Sequence, residues 1–175
     1  MSEKSNEVSI QLRELQPKDI PGMLEWMHDS EINQFYRFDA ESMTEKSVIE
    51  FINAVDENSK HFAVVDNADE YMGTISLKNI DMDSKKAEYA IALRKSVQGK
   101  GVSKKATDAI LNVAFNTMGL NKVYLNVLAG NGRANGFYKK YGFVYEGTFR
   151  EDILIKGKIY DLSWYSMLKT EFEAR

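Results

Sequence analysis

The chain has 175 residues, 43% of them apolar, 11% aromatic and 28% charged, a length and balance that predict one domain over 1–175 with its core at 8–170 and exclude a disordered chain. Its 23 Lys and Arg against 26 Asp and Glu leave a net charge of -3, which excludes nucleic acid as the main partner and suits a cationic or neutral acceptor slightly better than an acidic one. The absence of cysteine removes disulfides, thiolate metal ligands and a Cys nucleophile. No apolar run has signal-peptide or membrane-span length, so the chain is expected to be cytoplasmic, without a membrane partner, as a monomer or homodimer.

In chain order, Val8, Ile10 and Leu12 alternate with polar residues as a half-buried strand does. Pro17 and Pro21 open a helix with Met23, Leu24 and Met27 at helical spacing. Ser42-Met-Thr-Glu45 has the form of a capping box, and Val48, Ile49, Ile52 and Val55 follow on one helical face. His61 to Val65 and Tyr71 to Lys78 read as a hairpin across Asn67-Ala-Asp-Glu70, and a polar turn from Asn79 to Ser84 leads to a strand at Ala87 to Leu93. Val102, Ala106, Ala109, Ile110, Val113 and Met118 then mark a helix closed by Gly119. Val123, Leu125 and Val127 alternate as a strand, and Asn131 to Tyr141 is a short helix ended by Gly142. Strands near Phe143 to Ile155 and Ile159 to Leu168 meet at Lys156-Gly157-Lys158. This order, β-α-α-β-β-β-α-β-α-β-β, is a mixed α/β layer architecture.

The segment Gln98-Gly99-Lys100-Gly101-Val102-Ser103 joins a strand to an amphipathic helix. Glycines there allow a sharp turn and close approach of a ligand, and the first helical turn offers unpaired N–H groups and a positive dipole end to a diphosphate. An ordinary glycine turn is the alternative. Nucleotide loops of other kinds fail: a Walker loop needs Gly-Lys-Ser/Thr where Lys100 precedes Gly101, and a dinucleotide fingerprint needs a small residue where Lys104 stands.

That segment resembles the Gln/Arg-x-x-Gly-x-Gly/Ala acetyl-CoA loop of GNAT N-acetyltransferases, with Ser103 where Gly or Ala is usual. Downstream, Asn131-Gly-Arg-Ala134-Asn-Gly-Phe137-Tyr138-Lys-Lys-Tyr141-Gly142-Phe143 resembles the same superfamily's Asn-x-x-Ala-x-x-Phe/Leu-Tyr-x-x-x-Gly-Phe signature. The resemblance spans Val8 to Leu168. It implies a mixed sheet of about seven strands flanked by about four helices and acetyl-CoA as co-substrate; His28 and His61 do not stand at metal-like spacing, and no metal is expected.

Acetyl transfer to an amine poses three electrical problems. A primary amine with a pKa near ~10.4 is almost wholly protonated at neutral pH, attack on a thioester places negative charge on oxygen, and the departing thiolate leaves better when protonated. The resemblance implies that Ile91, Ala92 and Leu93 line the thioester beside the loop of Gln98 to Ser103, and that Tyr138 protonates the leaving sulfur. Tyr138 as an aromatic packing its helix onto the sheet is the alternative. Asn131 is a helix cap, a pantetheine contact, or both. Where ribosomal-protein alanine acetyltransferases carry a Glu base, this chain has Asn126, which holds water but takes no proton. Glu88 on the preceding strand is the replacement base, or else part of a hydrogen-bond network. His28 and His61 read as structural or solvated.

In the implied fold, the first helices, their linker and the last hairpin wall the acceptor cleft. In Gln34-Phe35-Tyr36-Arg37-Phe38-Asp39, Phe35 and Phe38 are expected to plug the core, and Tyr36 and Arg37 to meet the acceptor. Arg150, with Glu146, Asp152, Tyr160 and Trp164, is a further candidate. The pattern resembles the branch containing ribosomal-protein N-terminal, polyamine and amino-sugar nucleotide acetyltransferases. The expected acceptor is a small-molecule amine such as an amino sugar, with a peptide N-terminus or a polyamine as alternatives. A non-catalytic acetyl-CoA-binding module is the rival from another class.

Overall fold

The computed structural model describes residues 8–54 and 56–175; Val55 and residues 1–7, about which a helical face and the lack of a leader were inferred above, lie outside the described residues. Strands form at the alternating segments: β1 (Gln11–Glu14), β2 (Lys60–Val65), β3 (Tyr71–Asp81), β4 (Lys86–Leu93), β5 (Lys122–Leu128), β6 (Val144–Ile155) and β7 (Lys158–Leu168). They make one seven-stranded sheet in the order β1-β2-β3-β4-β5-β7-β6. Neighbours are antiparallel except β4 and β5, which run parallel because the intervening helix crosses the sheet. The helices are α1 (Ile20–His28), α2 (Ser30–Asn33), α3 (Glu45–Asn53), α4 (Val102–Asn112), α5 (Gly132–Tyr141) and α6 (Lys169–Glu173), so the short α2 and α6 are added to the expected set. None of them is long and apolar enough to cross a membrane.

Successive side chains of a strand face opposite sides of the sheet, and this period separates two cores. On one face Val64, Ile75, Leu77, Tyr89, Val123 and Leu125 pack against Val102, Ala106, Ile110 and Leu111 of α4 and Tyr138 and Tyr141 of α5. On the other, Ala63, Val65 and Tyr71 pack against Met23, Trp26 and Met27 of α1 and Val48 of α3. The intervening His61, Thr74, Ser76, Lys78, Glu88 and Asn126 therefore share the second face, and they line a cleft there.

Two helix ends differ from the sequence expectation. The cap of α3 is Thr44, whose hydroxyl accepts the Ser47 N–H at 3.2 Å while the Ser47 hydroxyl accepts the Thr44 N–H at 2.7 Å. Ser42 does not cap because Asp39 already takes its N–H at 3.3 Å and its hydroxyl donates to the Asp39 carbonyl at 3.1 Å. Helix α4 does not run unbroken to Gly119: it widens into a π-helical turn at Val113–Thr117, followed by Gly119 at φ 72°.

Gly73 on β3 marks a close approach to β4. A Cβ there would lie 2.3 Å from the Ala92 carbonyl oxygen and 2.9 Å from the Leu93 Cα, and backbone cannot swing aside as a side chain can. Gly73→Ala is expected to push β4 outward, costing about 1–3 kcal/mol as overpacking does. Chemical denaturation compared with wild type tests this; an unchanged midpoint would show that the two strands separate freely.

Candidate active site

The two parallel strands are joined only at Lys86 with Lys122, Ala87 with Val123 and Glu88 with Tyr124. Beyond Glu88 they part. β4 continues along β3 as far as Leu93, and β5 continues along β7 as far as Leu128. Each strand thereby turns an unpaired edge toward the fork, and such amides bind an extended ligand as an added strand would be bound. Ile91 and Ala92 line this opening, whereas the Leu93 side chain belongs to the core beneath it.

The loop after β4 has the geometry that its glycines predict. Gly99 and Gly101 both stand at φ 77°, a conformation that favours glycine, and an added Cβ would meet nothing within 4 Å. Gly101 is the cap of α4, so the N–H groups of that helix's first turn have no acceptor within the helix. The Gln98 side chain holds the loop together: its Nε2 donates to the Leu93 carbonyl at 3.4 Å and its Oε1 accepts from Arg133 at 2.7 Å. Lys100 is exposed at the rim.

From the fork, a cleft of about 710 Å³ runs beneath the linker that follows α2, a volume within the usual range of small-molecule sites, roughly 300–1,000 Å³. Glu88 lines it, 7% exposed. Arg37 Nη2 donates to its Oε1 at 3.0 Å, Asn126 Nδ2 donates to the same oxygen at 3.4 Å, and Asn79 Nδ2 donates to Oε2 at 2.7 Å. Lys78 Nζ lies 3.6 Å from Oε1. Glu88 thus stands within a hydrogen-bond network. Asn126 Oδ1 is buried in the same cleft with no partner, and an orphaned acceptor there suits an incoming N–H.

Tyr138 and Asn131 both line the cleft. Asn131 caps α5, its Oδ1 accepting the Ala134 N–H at 3.1 Å. Tyr138 is 7% exposed and enclosed by the rings of Tyr89, Phe137 and Phe143, so packing and presentation to the cleft coexist in one side chain. Burial raises its phenol above the usual range, and a side-chain interaction with Tyr89 opposes that rise.

The linker and final hairpin are placed differently from expectation. Phe35 and Phe38 do not plug the core; they are 40% and 45% exposed and line the cleft. Tyr36 takes the inner position instead, edge-on to Trp26 at 5.3 Å and stacked on Phe38 at 5.6 Å. It lines the cleft, but neighbouring rings cover it. Arg150 does not enter the cleft. β6 bulges between Phe149 and Ile153, where Glu151 adopts φ 52° and donates its N–H to Asp161 Oδ1 at 2.8 Å. Arg150 thus joins Phe149, Glu151, Asp152 and Asp161 around a separate shallow hollow. Glu146 is also elsewhere, paired with Lys122 at 2.8 Å. Trp164 stacks on Tyr124, and Tyr160 lies under Lys158.

Two partners of Glu88, Lys78 and Asn79, escaped the sequence reading, and His61, read there as structural or solvated, lines the cleft. Lys78 is directly opposite Glu88 in the β3–β4 register. The signal was the period-2 spacing that puts Ser76 and Lys78 on one face, but it becomes meaningful only once the strand neighbour is known.

Open glycines at a helix start suit a diphosphate, and the strand fork suits an extended arm. Residues 9–144 match the model of the acetyltransferase (GNAT) domain. The chain is 35% identical over 101 residues to the putative ribosomal N-acetyltransferase YdaF of Bacillus subtilis, covering 58% of this chain and 55% of that one. This match thus spans little more than half of that relative. It is 29% identical over 117 residues to a spermidine N(1)-acetyltransferase of Vibrio cholerae, covering 67% of this chain and 68% of that one. Among solved structures, spermidine N-acetyltransferase from Vibrio cholerae in complex with CoA and spermine superposes with a TM-score of 0.86 at 25% identity, over 94% of this chain and 98% of that one. The chain belongs to the GNAT acetyltransferase family.

Proposed function

We propose that the protein transfers the acetyl group of acetyl-CoA to a primary amine of a small molecule held in the cleft beneath the linker. The observation that carries this reading is the position of Glu88, where β4 and β5 part and on the lining of the cleft that also holds Asn126, Tyr138 and the aromatic rings of the linker. The amine approaches Glu88 and the unpartnered Oδ1 of Asn126, which accept its N–H bonds and orient its lone pair toward the thioester. Its proton leaves to Glu88 or through water ordered there. Those backbone N–H groups between Ile91 and Leu93 that point away from β3 meet the oxygen that gains charge, and Tyr138 donates toward the departing sulfur.

A second reading names the acceptor as a polyamine, in preference to the amino sugar expected from the sequence; the relatives and neighbours named as spermidine N-acetyltransferases favour it. The test is release of free CoA thiol from acetyl-CoA with a panel of amines, with mass detection of products. Steady, amine-dependent release is expected. If CoA binds and no amine is acetylated, a silent acetyl-CoA-binding module is the better description.

A further inference from the structure

Resting on acetyl transfer to a small-molecule amine, and against a polyamine as the acceptor, we infer that the acceptor is a zwitterion: a primary amine whose largely apolar body carries a carboxylate or phosphate received by Lys78 and Arg37. The charged side chains lining the cleft are Arg37, Lys78 and Glu88. Both cations approach the same carboxylate, Glu88 Oε1, at 3.0 and 3.6 Å. One carboxylate cannot balance two cations, so the acceptor end has a surplus positive charge.

His61 neither adds to this surplus nor removes it. Burial, and secondarily the Lys78 charge, lower its pKa below the usual range, while Asp56 opposes them. Its Nδ1 is engaged with the Ser76 hydroxyl at 2.7 Å. The remaining titratable groups on the lining, Tyr36, Tyr89 and Tyr138, are phenols held protonated by burial. The acidic residues of the linker are elsewhere: Asp39 holds the Ser42 N–H, and Glu41 pairs with Lys156 at 3.4 Å.

Donor capacity is also in surplus. The Arg37 guanidinium has five N–H donors, and its described bond to Glu88 uses one. Lys78 stands beyond hydrogen-bond length from the carboxylate, and among the described residues no other carboxylate pairs with it. Both cations are partly exposed to the cleft. The lining also includes Trp26, Met27, Phe35, Phe38 and Met43, which cover an apolar body and offer no carboxylate to a second ammonium group. The net charge of -3 opposes an anion only at long range, where salt screens it beyond about 8–10 Å. Within the cleft the local cations decide.

The test uses the full chain saturated with CoA and titration calorimetry with ligands of matched length: aminocaproate, the corresponding aminoalkyl phosphate, hexylamine and hexamethylenediamine, with spermidine alongside. At least one zwitterion should bind about 10-fold or more tighter than the diamine, because like charges brought together in a desolvated site are strongly disfavoured. The carboxylate and phosphate arms identify which anion is preferred. Lys78→Met should bring the ligands within about 3-fold of one another, and Lys78→Glu should reverse the order. If the diamine or spermidine binds wild type as tightly as the zwitterions, or if the ligands are not distinguished, the inference is overturned; the wild-type ranking decides this even if a variant does not fold. The same ligands are offered with acetyl-CoA in the thiol-release assay. A zwitterion preference without turnover would remove the acetyl-transfer reading alone, whereas turnover favouring spermidine would remove the zwitterion and leave acetyl transfer standing.

Discussion

Tyr138→Phe is expected to lower kcat by about 10²-fold, the low end of what a positioned general acid contributes, with CoA affinity nearly unchanged. The low end follows from the environment of the phenol. Burial raises it, so it carries its proton throughout the working range but surrenders it reluctantly to a thiolate whose conjugate acid lies near ~8.5. Its contribution is greatest as a hydrogen bond to the sulfur while charge develops. Phe retains the ring contacts with Tyr89, Phe137 and Phe143, so the fold should be preserved. Steady-state thiol release with calorimetric CoA titration separates the two effects. Unchanged turnover would leave Tyr138 as a packing aromatic only.

Gly101→Val should act on the other half of the reaction, weakening CoA binding by at least about 10-fold, or 1.4 kcal/mol. Two causes combine. A β-branched residue at φ 77° is strained by about 1–3 kcal/mol, and the side chain would fill the space that the open loop leaves for a diphosphate. Because a Cβ meets nothing within 4 Å in the protein itself, a clash with protein atoms is not part of the effect. Turnover at saturating acetyl-CoA should stay near wild type, since Glu88 and Tyr138 lie on other elements. Equal CoA affinity in the variant would place the diphosphate away from this loop.

Local rules were enough for much of the scaffold. Period-2 and helical spacings located β2 to β7, α1, α3, α4 and α5 to within a few residues. Gly99 and Gly101 stand in the backbone conformation that their place before a helix implied. Asn131 caps α5 as its residue type suggested. Each of these depends on interactions within a few residues, which a sequence window contains.

The acceptor end was decided by contacts that no window contains. Arg37 meets Glu88 across 51 residues, and Lys78 joins them only because β3 and β4 pair in the register that sets it opposite Glu88. The linker reversed its expected roles: Tyr36 goes inward, 5.3 Å from the Trp26 ring of α1, whereas Phe38 meets that ring at 6.5 Å and stays exposed, as does Phe35. Arg150 was drawn away by a bulge that a bond from Glu151 to Asp161 holds. Sequence periodicity states which side chains share a face of a strand. Which strands become neighbours, where parallel strands part and which charges are thereby forced together depend on how α4 carries the chain across the sheet, and only the assembled tertiary structure determines that.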